Sequence, residues 1–352
     1  MAYPLSRRRL LAAAGALPFG SLALGSAKAA DKTVVDGRVF NGARALVGSG
    51  ADGGTALVAK TNMTVRNCQF HNWGNGAIRA WHSTTEHFVI EDCSGSNVYR
   101  FLENWSWNHR GGTPAPLSDF TLRRISIVDA ERGLMRLRYA SQRGLIEDAV
   151  AFGSADCANY CTGFALLDQV SDITYRRCEA HRFIESRRPQ DRYWNGDGFS
   201  DERGNARIRY EGCVATDSSD GGFDTKSDQV YLVDCRARGN KRNYRMWNTG
   251  MLQRCRSEEP VRRGGTGRAA HFSFHGGSGA RYVIDRPFVR ATAGNAAPVF
   301  LFENDAPAVI DIFNADIHAP AAPLIVVTGA EPVINWYPAR PQQNIRVGSE
   351  RG

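Results

Sequence analysis

Residues 195–247 read NGDGFSDERGNARIRYEGCVATDSSDGGFDTKSDQVYLVDCRARGNKRNYRMW. An aromatic residue follows turn formers three times, as Gly198-Phe199-Ser200, Gly222-Phe223-Asp224 and Asn243-Tyr244-Arg245. The aromatics are 24 and 21 positions apart, about one turn of a solenoid, so equivalent residues are expected to stack on neighbouring rungs. With Phe199, Phe223 and Tyr244 pointing inward, period-two alternation turns Ser200, Glu202, Asp224, Lys226, Arg245 and Trp247 outward. Rungs lie roughly 4.8 Å apart, so these side chains share one outer face. Asp197 and Asp220 sit in the turns leading into it.

Working outward, Cys68, Cys93, Cys178, Cys213, Cys235 and Cys255 share one frame, an apolar residue, two polar residues, then cysteine, as in YEGCVA and LVDCRA. The frame returns as LRRISI and IEDAVA, which identifies cysteine here as a small buried residue in an internal stack. Pairing between neighbouring cysteines is the alternative; Cys157 and Cys161, four apart in a loop, are the better candidates for a disulfide. Rungs are expected near 65, 90, 122, 146, 175, 210, 232, 252, 282 and 309. Short β-branched strands between Gly, Asn and Asp turns predict an all-β chain, and the recurrent frame with unequal loops predicts a right-handed parallel β-helix of about ten coils. Residues 31–60 and the Pro-rich 319–344 are expected to cap the two ends, and the insertions 105–118 and 184–195 to rise as walls beside the charged face.

Residues 1–29 have the pattern of a targeting segment: Arg7, Arg8 and Arg9, an apolar run, then Ala27-Lys28-Ala29 as a cleavage site. The paired arginines point to the twin-arginine export route and a periplasmic or secreted protein, with an ordinary secretory signal as the alternative. The remaining chain, 30–352, is expected to be a single β-helix domain and a monomer. No later stretch is long and apolar enough to span a membrane as a helix. Removing the four cations of the leader from the formal charge of +8 leaves +4, which suits an anionic partner such as an acidic polysaccharide. The arginines are scattered and no nucleic-acid-binding motif is present, so no nucleic-acid partner is expected.

The stretch resembles polysaccharide lyase family 9, the calcium-dependent pectate lyases. NGDGF at 195–199 is similar to that family's first aspartate turn, DGGFD at 220–224 to the acidic turn one coil later, and GNKRNYRMW at 239–247 to the coil carrying its basic residue. The motifs cover about 50 residues; elsewhere only the coil architecture is shared. What the resemblance implies is a Ca2+ site made by Asp197, Asp220 and Asp224, with a proton-abstracting base at the position of Arg245. Two departures stand out: Gly221 replaces an expected aspartate ligand, and Arg245 replaces a lysine.

Elimination at a uronide removes the proton on C5, which becomes acidic only when the neighbouring carboxylate is neutralised by a cation. Arginine, with a pKa normally above about 12, suits carboxylate binding better than proton abstraction. Lys226 and Lys241 are therefore rival bases. Trp247 offers a surface on which a sugar ring stacks. Glu202 and His275 are expected to contact substrate, and Asp201 or Glu202 to add metal ligands. Inverting hydrolysis needs only two spaced carboxyl groups, which Asp197 with Asp220 or Asp224 supplies. A sugar epimerase shares the first step with a lyase. A non-catalytic carbohydrate-binding β-helix accounts for the aromatics and charge, though not for three acids and an arginine gathered over adjacent coils.

Overall fold

A computed structural model of the chain describes residues 32–43, 55–104 except His82, 115–277 except Asp156 and Ala158, and 279–338. The expected leader, and residues 105–114 of the first insertion, lie outside the described residues.

The alternation in sequence resolves into three stacked parallel sheets. In the first, inward residues are aligned from Val35 through Val65, Ile90, Leu122, Ile146, Tyr175, Tyr210, Leu232, Leu252 and Ile284 to Ile312 and Trp336. The third sheet aligns Phe164, Phe199, Phe223, Tyr244, Phe272 and Phe300. Neighbouring rings in it stack at 4.8–5.6 Å, and those from Phe164 to Tyr244 lie within 6° of parallel. That is the offset-stacked separation aromatic pairs favour, repeated once per coil. The chain is a right-handed parallel β-helix, the hand that crossovers between parallel strands take.

The described parts of both expected caps continue the coils. Thr33–Asp36 and Val39–Asn41 pair with Met63–Arg66 and with Gln69–His71, and Val333–Tyr337 pairs with Val309–Phe313. The reason is physical: pairing needs only an inward apolar residue, and Val35, Phe40 and Trp336 supply one without the cysteine frame. The first sheet thus has more rungs than the ten expected. The last two expected rungs, near 282 and 309, correspond to Arg281–Asp285 and Val309–Phe313.

All six frame cysteines are buried free thiols, and Cys157 is bonded to Cys161. The residue before each frame position adopts the left-handed backbone in every coil from Asn67 to Asn314, with φ between 48° and 61°. Most of these are not glycine, so each bend carries a modest strain that the stacked strands on either side hold in place. On the outside of these bends opposite charges pair across coils, Arg124 with Asp92 at 2.6 Å, Arg177 with Asp148 at 2.7 Å and Arg254 with Asp234 at 2.6 Å.

The third sheet differs from the others on its outer face. Asp197–Asp201, Gly221–Thr225 and Ala270–Phe274 are buried at every position, whereas first-sheet strands such as Ala206–Glu211 alternate. The insertion 184–195 covers this face. Its Trp194 ring lies where a Cβ on Gly264 or Gly265 would clash, at 2.3 and 2.6 Å, so only glycine lets the 260s loop close over the ring. Thr266 N donates to Arg192 O at 3.0 Å, tying the two loops into one wall.

Candidate active site

Ser200, Asp224, Arg245 and Ser273 occupy one register position on four successive rungs, as alternation from Phe199, Phe223 and Tyr244 requires. Asp197 and Asp220 flank them. A groove of about 590 Å³ runs over this face and is lined by Asp197, Ser200, Glu202, Asp224, Lys226, Arg245 and Trp247 from these coils, and by Tyr193 from the wall.

The acids and cations interleave. Asp224 accepts from Trp247 Nε1 at 2.7 Å, and its Oδ2 lies 3.1 Å from Lys226 Nζ and 3.6 Å from Arg245. Burial opposes its ionisation, but Lys226 and Arg245 outweigh burial and hold its pKa down at about 2. Asp220 accepts from Tyr193 Oη at 2.7 Å and Arg245 at 3.1 Å, and Lys241 Nζ lies 3.2 Å away. Asp197 accepts the backbone N–H of Gly221 at 2.7 Å. Burial, then the nearby Asp220 and Asp224, push its pKa well above the usual carboxylate range. One groove therefore holds two carboxyl groups whose surroundings push their pKa values in opposite directions, Asp224 down and Asp197 up.

The candidate bases separate. Arg245 stands over the Trp247 ring at 4.6 Å. Burial disfavours its charge, but Asp224 and Asp220 outweigh it and raise its pKa further. Lys226 donates to Glu202 at 2.6 Å; burial opposes its charge, yet Asp224 and Glu202 push its pKa up. Both are thereby held as cations. Lys241 has its pKa lowered, chiefly by burial, but it does not line the groove. It is fully buried behind Asp220, donates to the carbonyls of Trp194 and Thr266 at 3.3 and 3.2 Å, and sits 3.6 Å from the centre of the Tyr193 ring. It braces Asp220 against the wall, outside the groove lining. His275 stacks on Trp247 at 4.5 Å and meets Arg245 and Glu303 at 3.3 and 3.1 Å. Burial, with Arg245 and Arg242 nearby, pushes its pKa down to about 2, so it is neutral.

The residues do not fit the calcium cage that the resemblance implies. The oxygens of Asp220 and Asp224 are engaged by Tyr193, Trp247 and three cationic side chains. Among the described residues, no group of three or more acids, histidines or cysteines is arranged to hold a metal ion. A Cβ at Gly221 would lie 2.9 Å from Asp224 Cβ and 3.0 Å from Asp197 Oδ1, so the missing aspartate has no room as the site stands. Asp201 is no ligand either. It follows Phe199 by two and so faces inward, accepting from Tyr210 Oη at 2.8 Å and from the backbone N–H groups of Lys226 and Ser227.

Four participants escaped the sequence reading. Tyr193 comes from the insertion; Arg242 donates to Tyr193 Oη and to Glu303, both at 2.7 Å. Glu303, four coils after the first motif, had no recognisable context. Arg136 was the discoverable one, since it is aligned through Ala165 with Ser200 in the same outward column.

No family model matches the chain, and no curated protein matches it. Among solved structures, pectate lyase Pel9A is similar over 82% of this chain and 79% of its own, at 12% identity and a TM-score of 0.43. The A-module of the mannuronan C-5 epimerase AlgE6 from Azotobacter vinelandii is similar over 88% of this chain and 92% of its own, at 12% identity and a TM-score of 0.45. Likeness at that level says nothing about the reaction.

Proposed function

We propose that the protein is an exported, periplasmic or secreted enzyme that acts on a uronate-containing polysaccharide and cleaves it by β-elimination. The observation that supports this most is the groove wall on which ionised Asp224, Asp197 with its raised pKa, and cationic Arg245 and Lys226 stand beside Trp247.

A sugar ring stacks on Trp247, and its carboxylate takes the guanidinium of Arg245, which a planar fork suits. Neutralising that carboxylate acidifies the C5 proton. It also draws Arg245 away from Asp224. Relieved of one of the two cations that hold its pKa down, Asp224 becomes a stronger base at the moment substrate is seated. Asp224 accepts the C5 proton, the electron pair forms the double bond between C4 and C5, the bond from C4 to the glycosidic oxygen breaks, and Asp197 supplies the proton that oxygen takes. The cationic role thus falls to side chains. Lys241 and Tyr193 position Asp220, which in turn aims Arg245.

The same pair of carboxyl groups with opposed pKa shifts also meets the needs of hydrolysis, so products must be distinguished. The deciding experiment incubates the enzyme with polygalacturonate, alginate and hyaluronan, with and without a calcium chelator. Ultraviolet absorbance from a conjugated unsaturated uronide, unchanged by the chelator, is expected. New reducing ends without absorbance would replace elimination by hydrolysis, and neither signal on any polymer would remove the enzymatic reading.

A further inference from the structure

The groove does not end at the acid cluster. Its other end is lined by Arg100, Arg132 and Arg136, on coils nearer the N-terminus. Arg79, Arg100 and Arg136 converge on the single carboxylate of Glu103, at 3.6, 2.6 and 3.1 Å. Arg100 and Arg132 both stand over the Tyr99 ring, at 5.3 and 5.7 Å. Three guanidinium groups thus meet at one carboxylate. Burying surplus positive charge is costly, and one arginine would have satisfied Glu103.

Two of the groove-lining arginines keep an unpaired nitrogen among the described residues. Arg100 is 3% exposed, and its Nε has no hydrogen-bond partner; the buried Nε of Arg132 has none either. Crowding has a measurable signature at Arg136, whose pKa is lowered to about 10 by burial and then by Arg100. Such a group is built for an anion that is absent from the chain itself. Arg136 is aligned with Ala165, Ala165 with Ser200 and Ser200 with Asp224, so three rungs separate the two ends. At ~4.8 Å per rung that is roughly 14 Å, the reach of a few sugar rings laid along the helix axis. Tyr160, 58% exposed, lines the groove and offers a ring face along the way.

We propose that Arg100, Arg132 and Arg136 form a second subsite, which grips a carboxylate of the same polyuronate chain about three coils before the reacting unit. The proposal rests on the reading of the main groove as a site for acidic polysaccharide. It makes the enzyme a reader of chain length and of the spacing between charges.

The test is calorimetric binding of galacturonate and alginate oligomers of two and of six or more units, with methyl-esterified oligomers as charge-free controls. The proteins are wild type, Arg132→Gln, Arg136→Gln and the charge-keeping Arg132→Lys, each checked for folding by circular dichroism. Long oligomers of at least one series should bind the glutamine variants about tenfold more weakly, the worth of one charge-assisted hydrogen bond, while dimers and esters show no difference. Arg132→Lys should recover part of the loss. Equal losses for long and short oligomers, no loss in either glutamine variant, or no binding of any oligomer by wild type would overturn the subsite. A length-dependent loss in a protein that forms no product from any polymer would keep the subsite and discard elimination.

Discussion

Two sets of ion pairs in this molecule use the same residue types for opposite ends. Along the bends, Asp92–Arg124, Asp148–Arg177 and Asp234–Arg254 pair across coils in view of solvent. Over the third sheet, Asp220 and Asp224 are shared among Lys226, Lys241 and Arg245, nearly all of them buried. Exposed pairs cost little to make and return little. Buried ones carry a desolvation penalty that a purely structural coil avoids with apolar side chains. Burial of shared charges, rather than the mere presence of ion pairs, therefore distinguishes the outer face of the third sheet from the bends.

That contrast can be broken at several points. The largest effect is expected at Asp224. Asp224→Asn keeps the shape but removes the proton acceptor, and should lower kcat by about 10²–10⁴ with little change in KM, measured by initial rates on the preferred polymer. The same substitution has a second readout. Because Asp224 has a folded pKa of about 2 against an ordinary 3.8, its contribution to stability is complete above the ordinary value and lost as pH falls through about 2. The thermal midpoint of wild type should therefore drop more steeply than that of Asp224→Asn over this acidic range, and parallel curves would contradict the assignment.

Next comes Asp220→Ala, which leaves Lys241 buried without its countercharge. A loss of about 3–5 kcal/mol in unfolding free energy by urea titration is expected, part of it recovered if Lys241 sheds its proton. A loss below 1 kcal/mol would mean that Lys241 is held by the Trp194 and Thr266 carbonyls alone. At the small end, Asp234→Ala in the outer ladder should cost under about 1 kcal/mol and shrink further in high salt.

The architecture was legible because alternation and a repeated frame are one-dimensional signals. Phe199, Phe223 and Tyr244 fixed the inward column, and from it Ser200, Asp224 and Arg245 followed outward by parity alone. The same parity, applied one residue further, would have shown Asp201 facing inward. The caps were misread because Val35 and Trp336 keep the stack without keeping the frame. Lys241 was the harder case, since nothing in GNKRNYRMW tells a lysine beneath a wall from one on a groove. Tyr193 and Glu303 depend on how loops fold back across coils, which no period encodes. The charge states were equally hidden: Asp197 and Asp224 look alike in sequence and are separated only by who surrounds them.

The bends have a consequence for how such a chain changes over evolutionary time. Each coil turns at a residue whose backbone is left-handed, and consecutive coils agree in its position. Adding or deleting one residue inside a coil moves that turn off its neighbours and reverses the parity of everything up to the next bend. Adding or deleting a whole coil preserves both. The molecule is consequently quantised: its loops drift freely, while its trunk lengthens or shortens in units of one coil, and the distance between the two ends of the groove can be reset only in those steps.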